Sequence, residues 1–300
     1  MNTRFEVALW GREEPYLTAT AEEALREIQA LDQQLSFYRD DSDIRELNAY
    51  AANGPVPVEP RLFRLLQRAR SLTEATGGAF DITIAPLLRV WGFTGGGGTV
   101  PSDAEVEGAR EASGMHLVEL DPEAMTVEFL RPGVMLDLGA IGKGYAIERA
   151  AEILRESEVP GALIHGGTST VEAFGIQPDG SPWTIAIQDP REPEGVLGNV
   201  ALDGTALSVS AVHGKFFTEG DARYGHVLDP RLGKPVQGTL LAAVVCSSAT
   251  DSDALSTALL AGGEELFPVL GAFQADAGAL LVRADGTIAR LGSSIGSLPE

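Results

Sequence analysis

The stretch Leu136 to Leu154, LDLGAIGKGYAIERAAEIL, constrains this chain more than any other. Apolar Val134 to Leu138 predicts a strand, and Gly139, Gly142 and Gly144 predict a turn. From Tyr145 a helix is expected, because Ala146, Ile147, Ala150, Ala151 and Leu154 recur at helical spacing. A strand feeding a glycine turn and a helix start is a place for an anion. Exposed amides and the positive end of the helix dipole favour a phosphate, glycines let it approach closely, and Lys143 adds a full positive charge. The glycines read G-x-x-G-x-G, unlike the G-x-G-x-x-G of dinucleotide-binding folds, and no GK[ST] follows.

Charge narrows the possible partners. With 22 Lys and Arg against 43 Asp and Glu, the net charge is −21. That balance argues against nucleic acid or an anionic membrane as partner, since both need a basic surface. It also means that a phosphate needs local help, from Lys143 or from a divalent cation held between acidic side chains and phosphate oxygens. The lone cysteine, Cys246, excludes internal disulfides and sits in the apolar run Leu240 to Cys246, where it reads as a buried strand thiol. No basic-apolar leader precedes the first structured segment and no apolar run has the length of a membrane span, so a cytoplasmic location is expected.

In chain order, the pattern predicts a strand over Arg4 to Trp10 and helices over Glu22 to Leu35 and Arg61 to Thr76, the second opened by Pro60. Between them lies LSFYRDDSDIRELN, in which Tyr38 reads as a rim aromatic among turn-forming residues. Asp81, between Phe80 and a β-branched run, reads as a turn or cap former. Ala162 to Phe174 predicts two strands around a turn at His165-Gly166-Gly167, and Trp183 to Gln188 another strand. Leu207 to Val212, Phe216 to Thr218 and Tyr224 to Leu228 suggest an antiparallel series, and Leu240 to Ser247 a buried strand. Thr250 to Ser252 is expected to cap a helix ended by Gly262-Gly263, before two strands joined by Asp285-Gly286. On that helix Asp253 and Thr257 are four apart and share a face, so both can reach one hard cation. The more ordinary reading is that Asp253 stabilises the helix start and Thr257 bonds back to a carbonyl.

Taken in order, MNTRFEV, LSFYRDDSDIRELN, TGGAFDITIAPLLRVWGF, LDLGAIGKGYAIE, the Gly166-Gly167 turn, YGHVLDPRLGKPV and ATDSDALSTALLAGG resemble the ApbE-type FAD:protein FMN transferases along nearly the whole chain. The resemblance implies an α+β fold, two-lobed, with antiparallel and mixed sheets flanked by helices, in one domain over 1–300. It implies Mg²⁺-dependent transfer of FMN from FAD to a threonine or serine of a target protein carrying a flavinylation motif. Position by position, it places FAD at Met1, Tyr38, Ala79, Phe80, Asp81, Asp137, Lys143 and the Val227 backbone. The metal falls to the Ala140 carbonyl and the side chains of Asp253 and Thr257, and His226 stands beside the reacting phosphate.

The chain departs from the family in three places. It has His165 where Asn commonly precedes the Gly-Gly, Thr168 where an acid or amide follows, and Ser210-Ala211 before Val212-His213-Gly214 where Ser-Gly is usual. Ser247-Ser248-Ala249-Thr250 superficially resembles a flavinylation acceptor, but falls where the family has the loop before its last helix. Two other readings stay open at this level: an FAD pyrophosphatase giving FMN and AMP, and a non-catalytic FAD-binding protein.

Overall fold

The first of two structural units is organised by a seven-stranded sheet whose pairings are all antiparallel. Across the sheet the strands run Phe5–Trp10, Gly161–Gly166, Thr170–Gly175, Thr205–Ala211, Thr239–Cys246, Gly278–Arg283 and Ile288–Leu291. These facts come from a computed structural model that describes residues 3–192, 194–212, 214–220, 222–273 and 277–296. The unit takes the chain up to Asp32, from Ile141 to Ala211 and from Thr239 onward; the second unit takes Gln33–Ala140 and Val212–Gly238.

In the first unit, alternate residues of the central strands bury an apolar layer. Val171, Ala173, Leu207, Leu241, Ala243, Leu280 and Val282 pack with Ile187, Leu197 and Val200 of the hairpin Trp183–Gln188/Val196–Leu202. The helices Gly142–Glu156 and Ala249–Gly262 pack against each other and against strands of the sheet. Ala249–Gly262 is buried nearly all round, although it carries Asp251, Ser252, Asp253 and Ser256. Buried polar groups are mostly bonded, and the partners of Ser252, Asp253 and Ser256 tie this helix to its neighbours.

The second unit holds the helices Asp43–Tyr50, Pro60–Ala75, Ala85–Val90 and Asp103–Glu111. It also holds a three-stranded sheet in the order Val56–Pro57, Thr126–Phe129, Val118–Asp121, and two hairpins, Phe216–Glu219/Ala222–Gly225 and Leu228–Asp229/Lys234–Pro235. Leu87, Trp91, Val106, Ala109 and Leu228 form a core cluster, flanked by Phe93, Phe217 and Tyr224.

Several expectations are corrected. Val134 to Leu138 forms no strand; its backbone is held by the Asn48 side chain at Leu136 (2.7 and 2.9 Å) and by the Ile82 carbonyl at Asp137. The helix after it starts at Gly142, not Tyr145, so Gly142, Lys143 and Gly144 form its first turn. The first long helix is Glu14–Leu35, and the helix Asp43–Tyr50, capped by Ser42, begins within DSDIRELN and runs two residues past it. His165 and Gly166 belong to a strand rather than a turn. The supposed antiparallel series is split: Thr205–Ala211 joins the seven-stranded sheet, and the strands after Val212 pair among themselves. Among the described residues no helix is long and apolar enough to cross a membrane.

Candidate active site

The N-terminus of Gly142–Glu156 already holds an anion of this chain. Asp253 Oδ2 accepts the Gly144 amide at 3.0 Å, and Lys143 Nζ lies 3.0 and 3.3 Å from Asp253 Oδ1 and Oδ2. Thr170 Oγ1 donates to Oδ1 at 3.3 Å. Asp253 is only 3% exposed, and a buried carboxylate is tolerable only when paired and hydrogen-bonded in this way. Gly144 is glycine because the two helices touch there: a Cβ would come 2.7 Å from that of Asp253 and would also strike the Ala249 carbonyl.

Ser248 caps Ala249–Gly262, not Thr250 to Ser252; its Oγ accepts the Asp251 amide and donates to Glu148 at 2.6 Å. Ala249 and Thr250 are therefore helical, and Thr250 is buried, so the expected pre-helix loop is the helix start itself. Thr257, half-buried one turn after Asp253, donates toward the Asp253 carbonyl at 3.3 Å, the back-bond that spacing had suggested. Beneath this turn Ser208 meets Ser252 at 2.7 Å, while Ser210 meets Ser256 at 2.8 Å and Thr257 at 3.2 Å.

The donors suit a hard cation. Among the described residues no group of three or more His, Cys, Asp or Glu is placed to hold a metal. One carboxylate and one hydroxyl on the same helix turn nevertheless match the partial protein shell that Mg²⁺ takes when phosphate and water supply the rest. The Lys143 ammonium, spanning both Asp253 oxygens, stands in for positive charge there.

In the second unit Tyr38 is 63% exposed, with its ring edge-on to Phe37. Partial burial and nearby Asp137 both raise its hydroxyl pKa. Asp137 Oδ1 accepts the Gly139 amide at 2.7 Å; burial pushes its carboxyl above the usual range, and the Gly139 bond and Lys215 pull it back. Ala79 and Phe80 are buried. Asp81 acts as the turn former expected: it accepts Thr83 N (2.8 Å), Thr83 Oγ1 (2.6 Å) and Met115 N (3.1 Å), while burial raises its pKa. It borders a cleft of about 630 Å³ with Gly77, Gly78, His116 and Arg231.

His226, half-buried, turns Nδ1 to the Lys215 carbonyl at 3.0 Å, and the same oxygen accepts the His226 amide at 2.9 Å. A carbonyl can only accept, so the ring proton sits on Nδ1 and the basic lone pair on Nε2. Gly214 lies against the ring; a Cβ there would come 2.8 Å from His226 Cε1. Lys215, which sequence reasoning missed, thus orients His226 through its backbone and faces Asp137 with its charge; no motif marks it. Val227 follows His226, and Ala140 ends the second unit in the turn before Gly142. Met1 and His213 lie outside the described residues. His165 bonds the Gly167 carbonyl through Nδ1 at 2.9 Å, opposite Glu6 on the neighbouring strand.

The ApbE family matches residues 1–279. The chain is 30% identical over 249 residues to the FAD:protein FMN transferase of Klebsiella pneumoniae, covering 82% of this chain and 77% of the relative. To that of Rhodobacter capsulatus it is 34% identical over 253 residues, covering 82% and 47%. Its fold superposes on the crystal structure of the ApbE protein of Thermotoga maritima with a TM-score of 0.87 at 31% identity, covering 96% and 93%. For the apo flavinyl transferase ApbE of Pseudomonas stutzeri the TM-score is 0.81 at 29% identity, covering 96% and 94%. By sequence along most of its length and by fold, the chain belongs to the ApbE family.

Proposed function

We propose that this chain is an enzyme that transfers FMN from FAD to a threonine or serine hydroxyl of a target protein, dependent on Mg²⁺ and releasing AMP. The observation that supports it most is the buried Asp253 carboxylate shared by Lys143 and the Gly144 amide, with the Thr257 hydroxyl one turn away. Relatives of the chain carry the name FAD:protein FMN transferase.

In this reading Asp253 and Thr257, with the Ala140 carbonyl that the resemblance adds, hold Mg²⁺. When bound, the ion neutralises charge on the pyrophosphate of FAD. Lys143 binds the same pyrophosphate and offsets the charge that grows as AMP departs. Tyr38, Ala79, Phe80, Asp137 and the Val227 backbone bind the flavin half. Asp81 serves by shaping its segment, since its two oxygens already take three hydrogen bonds.

The target hydroxyl attacks the FMN-side phosphorus. A new O–P bond forms as the bond from that phosphorus to the bridging oxygen breaks, and that oxygen leaves with AMP. The hydroxyl proton passes to His226 Nε2, the nitrogen that the Lys215 carbonyl leaves basic.

The test is incubation with FAD and Mg²⁺, with and without a protein carrying a flavinylation motif, following AMP and the acceptor's mass. The expected outcome is an acceptor heavier by FMN with matching AMP. AMP and FMN formed regardless of acceptor would make the chain a pyrophosphatase, and bound intact FAD would make it a binder.

A further inference from the structure

Leu136 is fully buried yet lies in no strand, so its backbone groups need partners from elsewhere. Both come from one side chain. The Leu136 amide donates to Asn48 Oδ1 at 2.7 Å, and Asn48 Nδ2 donates to the Leu136 carbonyl at 2.9 Å. A backbone N–H can only donate and a carbonyl can only accept, which fixes the orientation of the Asn48 amide. The next residue is held from another element: the Asp137 amide donates to the Ile82 carbonyl at 2.7 Å, one residue after Asp81. The peptide between Leu136 and Asp137 is thus held at its oxygen by Asn48 and at its nitrogen by Ile82.

Asn48 itself stands on a firm base. It belongs to the helix Asp43–Tyr50, whose Ile44 and Leu47 are fully buried. At the start of the same helix the cap residue Ser42 places its Oγ 2.5 Å from the Ser36 carbonyl, two residues before Tyr38. One short helix therefore grips the backbone close to Tyr38 with its first residues and close to Asp137 with its last turn. The two side chains it serves are near enough for Asp137 to raise the Tyr38 hydroxyl pKa.

We infer that Asn48 is a positioning residue for the flavin half of the substrate, holding Asp137 in place through the peptide between Leu136 and Asp137. The inference rests on the proposed reading in which Asp137 binds that half. A side chain without both a donor and an acceptor cannot make this pair of bonds. Asp137 would then be correctly placed for only a fraction of the time, and the apparent affinity for the flavin falls by that fraction.

The test is FMN binding, read by quenching of flavin fluorescence, in a double-mutant cycle. The full chain is compared with Asn48→Leu, Asp137→Ala and the two combined, each checked for folding by circular dichroism; Asn48→Ala repeats the cycle with a side chain too small to clash. Asn48→Leu is expected to weaken FMN binding on the order of tenfold. The same change made on top of Asp137→Ala should have little further effect, because a residue that acts through Asp137 then has nothing left to place. Losses that multiply in the combined variant would make Asn48 a structural residue and overturn its role. Wild-type affinity in both Asn48 variants, alongside a loss in Asp137→Ala, would do the same while leaving Asp137 as a flavin contact. Full affinity in Asp137→Ala would overturn the reading of Asp137 itself, and the inference with it.

Discussion

Gly144 and Asp253 are in contact twice over: the Gly144 amide donates to the Asp253 carboxylate at 3.0 Å, and a methyl on Gly144 would come 2.7 Å from the Asp253 Cβ. One glycine therefore sets both the spacing of two helices and the seat of a buried charge.

Gly144→Ala must push the helices apart, since the Ala249 carbonyl on the same side is backbone and cannot rotate away. Overpacking of this kind costs roughly 1–3 kcal/mol. A lower urea midpoint with an unchanged slope is the expected result, and wild-type stability would contradict the packing described.

Lys143→Met leaves Asp253 buried without its cation. Breaking a buried pair typically costs about 3–5 kcal/mol, moderated here by the bonds from Gly144 and Thr170. Added Mg²⁺ is expected to raise the melting temperature of the variant more than that of the wild type, because the ion replaces the missing ammonium. Equal responses in thermal melts would separate Lys143 from the cation.

His226→Ala is expected to slow FMN transfer on the order of 10²-fold to 10⁴-fold, with FAD affinity nearly unchanged. Gly214→Ala, which crowds the imidazole without touching its chemistry, should slow transfer by less. Single-turnover rates and FAD titrations check both; parallel losses in rate and affinity would make His226 a binding residue.

Glu172 gives a pH signature independent of the site. It is 1% exposed and paired with Arg155 at 2.5 Å, and burial pushes its carboxyl up to about 7, with Arg155 opposing and Glu148 and Glu152 adding to the rise. The native state therefore holds this proton more tightly than the unfolded chain does. The linked stability is fully present below the ordinary value of about 4.5 and is lost as pH rises through about 7, an effect on the order of 3 kcal/mol. Glu172→Gln should flatten this part of the stability profile, as measured by urea unfolding at about pH 4.5 and pH 8.

Most strands were legible because alternation and turn residues are local signals, as at Trp183–Gln188 and around Asp285-Gly286. Val134 to Leu138 misled because an apolar run looks the same whether its backbone meets a strand or, as here, an Asn48 side chain. The helix Asp43–Tyr50 hid behind a polar run that also reads as a turn. Asp253 and Thr257 were legible as a pair by helical spacing, but no spacing shows Lys143 resting on Asp253 across 110 residues. Lys215 acts through a backbone carbonyl, a feature that residue type alone does not mark.

The strand order of the first unit governs how the chain can be made. Thr205–Ala211 waits for Thr239–Cys246 to cover its open edge, and Phe5–Trp10 waits for Gly161–Gly166. During synthesis the N-terminal strand emerges long before its partner, and the sheet closes only when the last quarter of the chain has left the ribosome. Pairings this distant in sequence favour late and slow completion of this sheet. A chain stopped before Thr239 exposes a central strand edge, inviting aggregation before any flavin can bind.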